Sequence, residues 1–282
     1  MKQTFYKILL LVVALAMIVV AIFLMVKTVT VTAPAEPEPD SVITTDVDSL
    51  ANIYLQGGNS EDFDRAVDFL GLCLRENQIA EGIYNRDIMS IVSDSAHRTI
   101  NEISVRLQGR WNYSDLASAI NRLSELNNIK LAGSVTSAMD GSYVARLAEL
   151  QQYMSEYRQC INLYSRRLGG NVSSQNARRI ISEANAYLQQ HQLLSRNIQI
   201  SEKRDGIRSR LAREHYNYME NMIEAIPARR FNNDNEKRNY AGTIRTLIND
   251  YVSGIGSNGP YDNSGRNVEE LRQRLQELLP IH

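Results

Sequence analysis

Gly254, Gly256 and Gly259 match the spacing G-x-G-x-x-G, which lets a backbone approach the pyrophosphate of a dinucleotide. That chemistry requires a strand before the glycines and a helix directly after them. It also requires an acidic residue about 20 positions further on, inside a βαβ unit. Here the preceding segment has helical period, and PYDNSGRN follows, which cannot open a helix directly. Only 23 residues remain after Gly259. No cofactor is expected. Gly, Pro, Asn and Ser make residues 253–266 read as a flexible loop that lets the last helix fold back or swing out to a partner.

The other reactive residue types are equally unassembled. His97 lies opposite the apolar stripe of its helix, whereas His191 and His215 sit within stripes. A lone histidine there reads as a hydrogen-bonded core residue; the functional alternative is a pH-sensitive pair or a metal ligand. No H-E-x-x-H and no pair of E-x-x-H motifs occurs, so no metal is expected. G-x-S-x-G, a Walker A loop, EF-hand spacing and a Cys–His signature are all missing, and no catalytic residues are assigned. Cys73 and Cys160 are the only cysteines. Both lie beside apolar stripes and read as buried free thiols, although a long-loop disulfide is the alternative.

Two residue types suited to contact are abundant. There are 14 Tyr against 5 Phe and 1 Trp. Several Tyr fall on helix seams, where the hydroxyl needs a partner or an open edge. Between Arg158 and Arg245 there are 16 basic and 8 acidic residues, and 14 of the bases are Arg. Arginine suits bidentate recognition of carboxylate or phosphate, and solvated helix faces account for the same pattern. The candidate interaction surface is Tyr143, Tyr157, Tyr164, Tyr187, Arg158, Arg166, Arg167, Arg178 and Arg179.

The elements that carry these residues are helical. Ser60 is placed as an N-cap, followed by Phe63, Val67, Leu70 and Leu74. Asn85 is placed as the cap of a helix bearing Ile88, Val92, Ala96, Thr99, Ile103 and Leu107, closed by Gly109. Ser114 is placed as the cap of a third, bearing Leu116, Ile120 and Leu123. Tyr143, Leu147, Leu150, Met154, Tyr157, Ile161, Tyr164 and Leu168 then repeat in alternating steps of four and three. That 3.5-residue period is the seam of a coiled-coil-like helix. Gly169, Gly170 and Asn171 break it. A second seam runs Ile180, Ala184, Tyr187, His191, Leu194 and Ile198. Together they predict an antiparallel heptad-patterned hairpin over about 142–205, packed within the chain because its flanking positions lack alternating Glu and Lys.

Beyond it, Ile207, Leu211, His215, Tyr218, Met222 and Ile226 form a new stripe. Either the helix breaks near Gly206 or it passes to a different packing partner. Pro227 ends it, and two further helices carry Tyr240 to Tyr251 and Val268 to Leu278. The fold class is all-α.

Location comes from the start of the chain. Ile8 to Val26 is 19 consecutive residues without a polar side chain. As a helix it spans about 28 Å, close to the hydrocarbon thickness of a bilayer. Lys2 and Lys7 precede it and Lys27 follows, whereas Thr28 to Asp64 holds eight acids and no base. The positive-inside rule makes residues 1–7 a cytoplasmic stub and 8–26 an anchor in the inner (cell) membrane. Residues 27–45 are an acidic Pro-rich spacer and 46–282 an extracytoplasmic, periplasmic helical domain. A cleaved signal peptide is the alternative, with Ala33, Pro34 and Ala35 as its small-residue site.

The net charge of −1 shows no global bias towards nucleic acid, and no nucleic-acid partner is expected. The expectation is a membrane-anchored, non-enzymatic interaction or scaffold protein of the cell envelope. It would meet other envelope proteins through helix contacts, with anionic lipid headgroups as a further partner. The alternative is a helical binding module for a small molecule or cell-wall fragment. A cell-wall-processing enzyme stands third.

Overall fold

Acidic and amide caps set where the helices begin. In a computed structural model of the chain, residues 60–261 and 266–280 are described, and they form eight α-helices and no strand. The stub, anchor and spacer expected at 1–45, and residues 46–59, lie outside the described residues. Among the described residues no helix is long and apolar enough to cross a membrane. The chain divides into two units, Met1–Ala80 and Glu81–His282.

The described part of the first unit is helix α1, Ser60–Arg75, whose Phe63, Ala66, Leu70 and Cys73 are buried. It closes on Asn77 at φ 56°. Gln78 N donates to Cys73 O at 2.8 Å and Asn77 N to Leu74 O at 3.1 Å. This is the double hydrogen bond of a left-handed helix stop, with asparagine in place of the commoner glycine.

The second unit contains α2 (Glu81–Gln108), α3 (Tyr113–Asn128), α4 (Gly141–Ser165), α5 (Ser174–Gln190), α6 (Ile198–Glu224), α7 (Asp234–Ser253) and α8 (Val268–Leu278). A 3₁₀ turn, Gln192–Arg196, links α5 to α6, and another at Ile226–Ala228 contains Pro227. Asp140, Ser173, Asn197, Asn233 and Asn267 cap α4 to α8 in turn, each accepting a backbone N–H of the first turn. Helix α2 packs on α3 and α3 on α4. Helix α4 packs on α5 and α6, and α6 on α7 and α8. Leu150, Leu194, Ile200, Leu211, Met219 and Ile244 are among the fully buried side chains of this unit.

Several boundaries differ from the periodicity. Asn85 is not a cap but lies one turn inside α2. Its amide clamps the backbone of Ala132, accepting from Ala132 N at 2.7 Å and donating to Ala132 O at 3.3 Å. Helix α3 is capped at Asn112 rather than Ser114, and Asn112 N donates to Asp115 at 2.8 Å. The second seam does not continue to Ile198, because α5 stops at His191 and a new helix starts after Asn197. At Gly206 the helix does not break. Helix α6 is continuous, and its buried side chains shift to Ile207, Leu211, His215, Met219 and Ile223. Tyr218, expected in that stripe, is 38% exposed.

The break after α5 has a tertiary cause. Trp111, wholly buried in the α2–α3 connection, donates from its indole to Leu193 O at 3.2 Å. Its backbone pairs with the linker, Trp111 N donating to Arg196 O at 3.4 Å and Ile198 N to Trp111 O at 3.0 Å. Asn197 donates to Trp111 O at 3.3 Å and accepts from Ile200 N at 2.9 Å, holding the linker while it starts α6.

Candidate functional site

Helices α4 and α5 run antiparallel. Tyr164 donates to Asn185 at 2.7 Å, Tyr187 donates to Gln159 at 3.2 Å, and His191 meets Glu156 at 3.1 Å. As one residue number rises along this series, its partner's falls. Helix α4 also packs against α2, α3 and α6, so its apolar residues serve four neighbours.

The tyrosines proposed for the surface divide. Tyr157 and Tyr164 are core residues, 8% and 1% exposed. Tyr164 is accommodated because Asn185 accepts its hydroxyl, and burial pushes that hydroxyl up to about 12. Tyr157 packs its ring against Trp111 and Tyr113, with centroids 6.1 and 5.2 Å away. Tyr143 is half-buried, accepting from Ser93 at 3.3 Å. Tyr187 is half-buried and stacks on His191 at 4.3 Å. Cys160 is a fully buried thiol, pushed by that burial up to about 11. Cys73 in the first unit is also buried, its thiol raised chiefly by burial and secondarily by Glu76.

The arginines divide too. Arg166 and Arg179 share Glu183, the latter at 2.8 Å. The Arg179 hydrogen bond is the first cause holding the Glu183 carboxyl below its ordinary range. Arg167 is 83% exposed and 3.9 Å from Glu214. Arg158 and Arg178 are exposed. Arg210, not singled out by the sequence, caps the end of α4. Its guanidinium donates to the carbonyls of Tyr164, Ser165 and Arg166. These are carbonyls that a helix terminus leaves without an internal partner. Glu214, one turn on, accepts from Leu168 N at 3.0 Å. Part of the arginine excess is therefore internal structure.

A buried polar cluster joins α5, α6, α7 and the glycine loop. Asp250 accepts from both the backbone N–H and the hydroxyl of Ser174, each at 2.6 Å, at the start of α5. His215 is wholly buried, with Nδ1 2.7 Å from the Tyr261 hydroxyl and no hydrogen-bond partner on Nε2. The Tyr251 and Tyr261 rings surround it, with centroids 5.4 and 5.5 Å away. Burial pushes His215 down to about 4, opposed in smaller measure by Asp250 and the Leu247 backbone. The stripe placed His215 in the core; its partners are 36 and 46 residues away and left no sequence signal.

The same cluster explains the glycines. Gly254 and Gly259 are buried, Tyr261 N donates to Gly254 O at 3.1 Å, and Arg208 donates to Gly259 O. A Cβ on Gly259 would lie 1.9 Å from Gly254 O, and one on Gly254 would lie 2.6 Å from the Tyr261 ring. Close backbone approach, not phosphate binding, requires these two residues. The segment expected to act as a hinge is anchored from Gly254 to Tyr261; residues 262–265 lie outside the described residues.

Grooves open among the described residues of the second unit. One of 430 Å³ is lined by Asn185, Leu188, Gln189, Gln192, Ser195 and Arg204. One of 210 Å³ between α2 and α3 holds Arg106 and Asp115, already bonded at 2.8 Å. One of 280 Å³ lies between α7 and α8. Among the described residues no group of three His, Cys, Asp or Glu could hold a metal. Set against protein-family models, curated proteins and solved structures, the chain matches none.

Proposed function

We propose that the chain is a membrane-anchored helical scaffold of the cell envelope, a non-enzymatic subunit of a larger assembly. Its N-terminus is cytoplasmic and its helical domain periplasmic, held off the bilayer by the acidic spacer. The observation that carries this reading is the 19-residue apolar run Ile8 to Val26, with Lys2 and Lys7 before it and, beyond Lys27, an acidic segment without a base that leads into a long helical region. The exposed side chains of the heptad-patterned hairpin support it. Arg158 and Arg178 stand out from its helices, free to meet a partner or anionic headgroups, and Arg167 is exposed beside Glu214.

In-cell crosslinking of the intact, tagged protein, read by mass spectrometry, tests it. Reproducible crosslinks from α4–α5 to one set of envelope proteins are the expected result. Crosslinks confined to the chain itself would sink it. One observation favours the ligand-binding alternative: the 430 Å³ groove gathers three amide side chains, a hydroxyl and Arg204. Such donors and acceptors suit a sugar or peptide fragment of cell wall.

A further inference from the structure

Of the described histidines, His97 is exposed and His191 half-buried, but His215 is wholly buried. Only one nitrogen of its ring is met. Nδ1 lies 2.7 Å from the Tyr261 hydroxyl, and Nε2 has no hydrogen-bond partner. That arrangement suits the neutral ring alone. If the hydroxyl donates to Nδ1, an added proton lands on that nitrogen and sets a donor against a donor. If Nδ1 donates to the hydroxyl, the added proton lands on Nε2, where nothing accepts it. In both cases the imidazolium holds a charged N–H at Nε2 without an acceptor, inside the core. Asp250 is the acid that acts on the ring, but its two oxygens already accept from Ser174, each at 2.6 Å. Tyr251 faces the ring from α7 and Tyr261 from the glycine loop. On α6 itself, Glu214 is engaged by Leu168 N and Arg208 by Gly259 O. At the start of α8, Arg266 and Glu270 act on the neighbouring Tyr216.

Water reaches an imidazolium here only when a covering side chain leaves, and the coverings are unequal. Tyr251 belongs to α7, which the adjacent Asp250 ties to the start of α5. Tyr261 belongs to a loop. It is held by its own N–H on Gly254 O at 3.1 Å, by Arg208 on Gly259 O and by the His215 contact. Helix α8 beyond it has 11 residues, too few to persist alone. Its polar ties face solvent, where such contacts are weak: Arg274 lies 3.7 and 3.6 Å from Glu220 and Glu224, and Arg272 lies 3.4 Å from Asn249. We propose that His215 is an acid-operated latch: its protonation releases Tyr261, and the 254–261 loop and α8 come away from α6 and α7 while the rest of the second unit stays folded. Release uncovers Val268, Leu271 and Leu275, the apolar face that α8 buries when latched. Opening a weakly held segment costs less than unfolding the whole unit. The burial that pushes His215 down to about 4 acts in the same direction, because the ring regains its ordinary value near 6.5 once exposed. The latch stands independently of the assembly reading.

Hydrogen exchange of the full-length protein in detergent micelles, resolved by peptide mass spectrometry at pH 7 and pH 5, tests it. His215→Phe is compared at each pH, which cancels the intrinsic pH dependence of exchange. Relative to pH 7, peptides from residues 254–261 and from α8 are expected to exchange about tenfold or more faster at pH 5 in the wild type than in the variant. Peptides from α2 to α4, with Trp111 between α2 and α3, are expected to keep their protection. His215→Gln gives the same reading if the helical signal shows that Phe is not accommodated. The same pH course in the wild type and both variants overturns the proposal. So does an equal acid-induced loss of protection in α2 to α4, which would make the opening global.

Discussion

His215 shows what a buried position does to one residue. Its ring is enclosed by Tyr251 and Tyr261, its Nε2 is unpartnered, and the folded state holds it neutral at a value of about 4. In the unfolded chain the same group titrates near 6.5. Protonation therefore favours unfolding. Its contribution is fully present above pH 6.5, is lost as pH falls towards 4, and changes no further below that. The shift corresponds to about 3 kcal/mol. Urea unfolding of wild type and His215→Phe across pH 7 to 4 should show the wild type losing about 3 kcal/mol more than the variant. Parallel losses in the two proteins would refute the assignment. The sequence stripe placed His215 inside because a 3.6-residue period reports burial. It was silent on Asp250, which α7 brings there, and on Tyr261, which reaches the site only by chain reversal after α7.

At the scale of elements, the legible features were local. The helix of Ile88 to Leu107 and the stop at Pro227 follow from periodicity, helix propensity and missing N–H groups within a few residues. The end of α5 and the start of α6 did not, since Trp111 and Asn197 set them across 86 residues. The glycine loop belongs here as well. Gly259→Ala should destabilise by about 2–4 kcal/mol, because its Cβ would meet backbone that cannot move aside. Gly256→Ala, with nothing within 4 Å of its Cβ, should be nearly neutral. Thermal unfolding of both variants decides it. Equal small shifts would mean that the loop is the open hinge its composition suggests.

For the whole molecule the prediction concerns sidedness. Val135 is 92% exposed, whereas Cys73 and Cys160 are buried. The native thiols should resist a membrane-impermeant maleimide. A Val135→Cys variant should be labelled in intact cells whose outer barrier has been opened, without lysis. Labelling only after the inner membrane is broken would reverse the proposed topology. Labelling of the native protein would mean that its buried thiols are reached by local opening.

The sequence by itself determined an apolar run at the start of the chain and, over the described residues, an all-α fold and most of the faces its helices bury. Those properties depend on residue type and short-range spacing, which one strand of text displays in full. Tertiary structure alone decided that Tyr157 and Tyr164 are core, that Arg210 finishes α4, and that Gly254 and Gly259 permit close packing. A side chain's partner is set by which helices become neighbours, and the energy of a hydrogen bond or ion pair falls away within a few ångströms of the right geometry. Such pairings therefore exist only once the chain has folded back on itself.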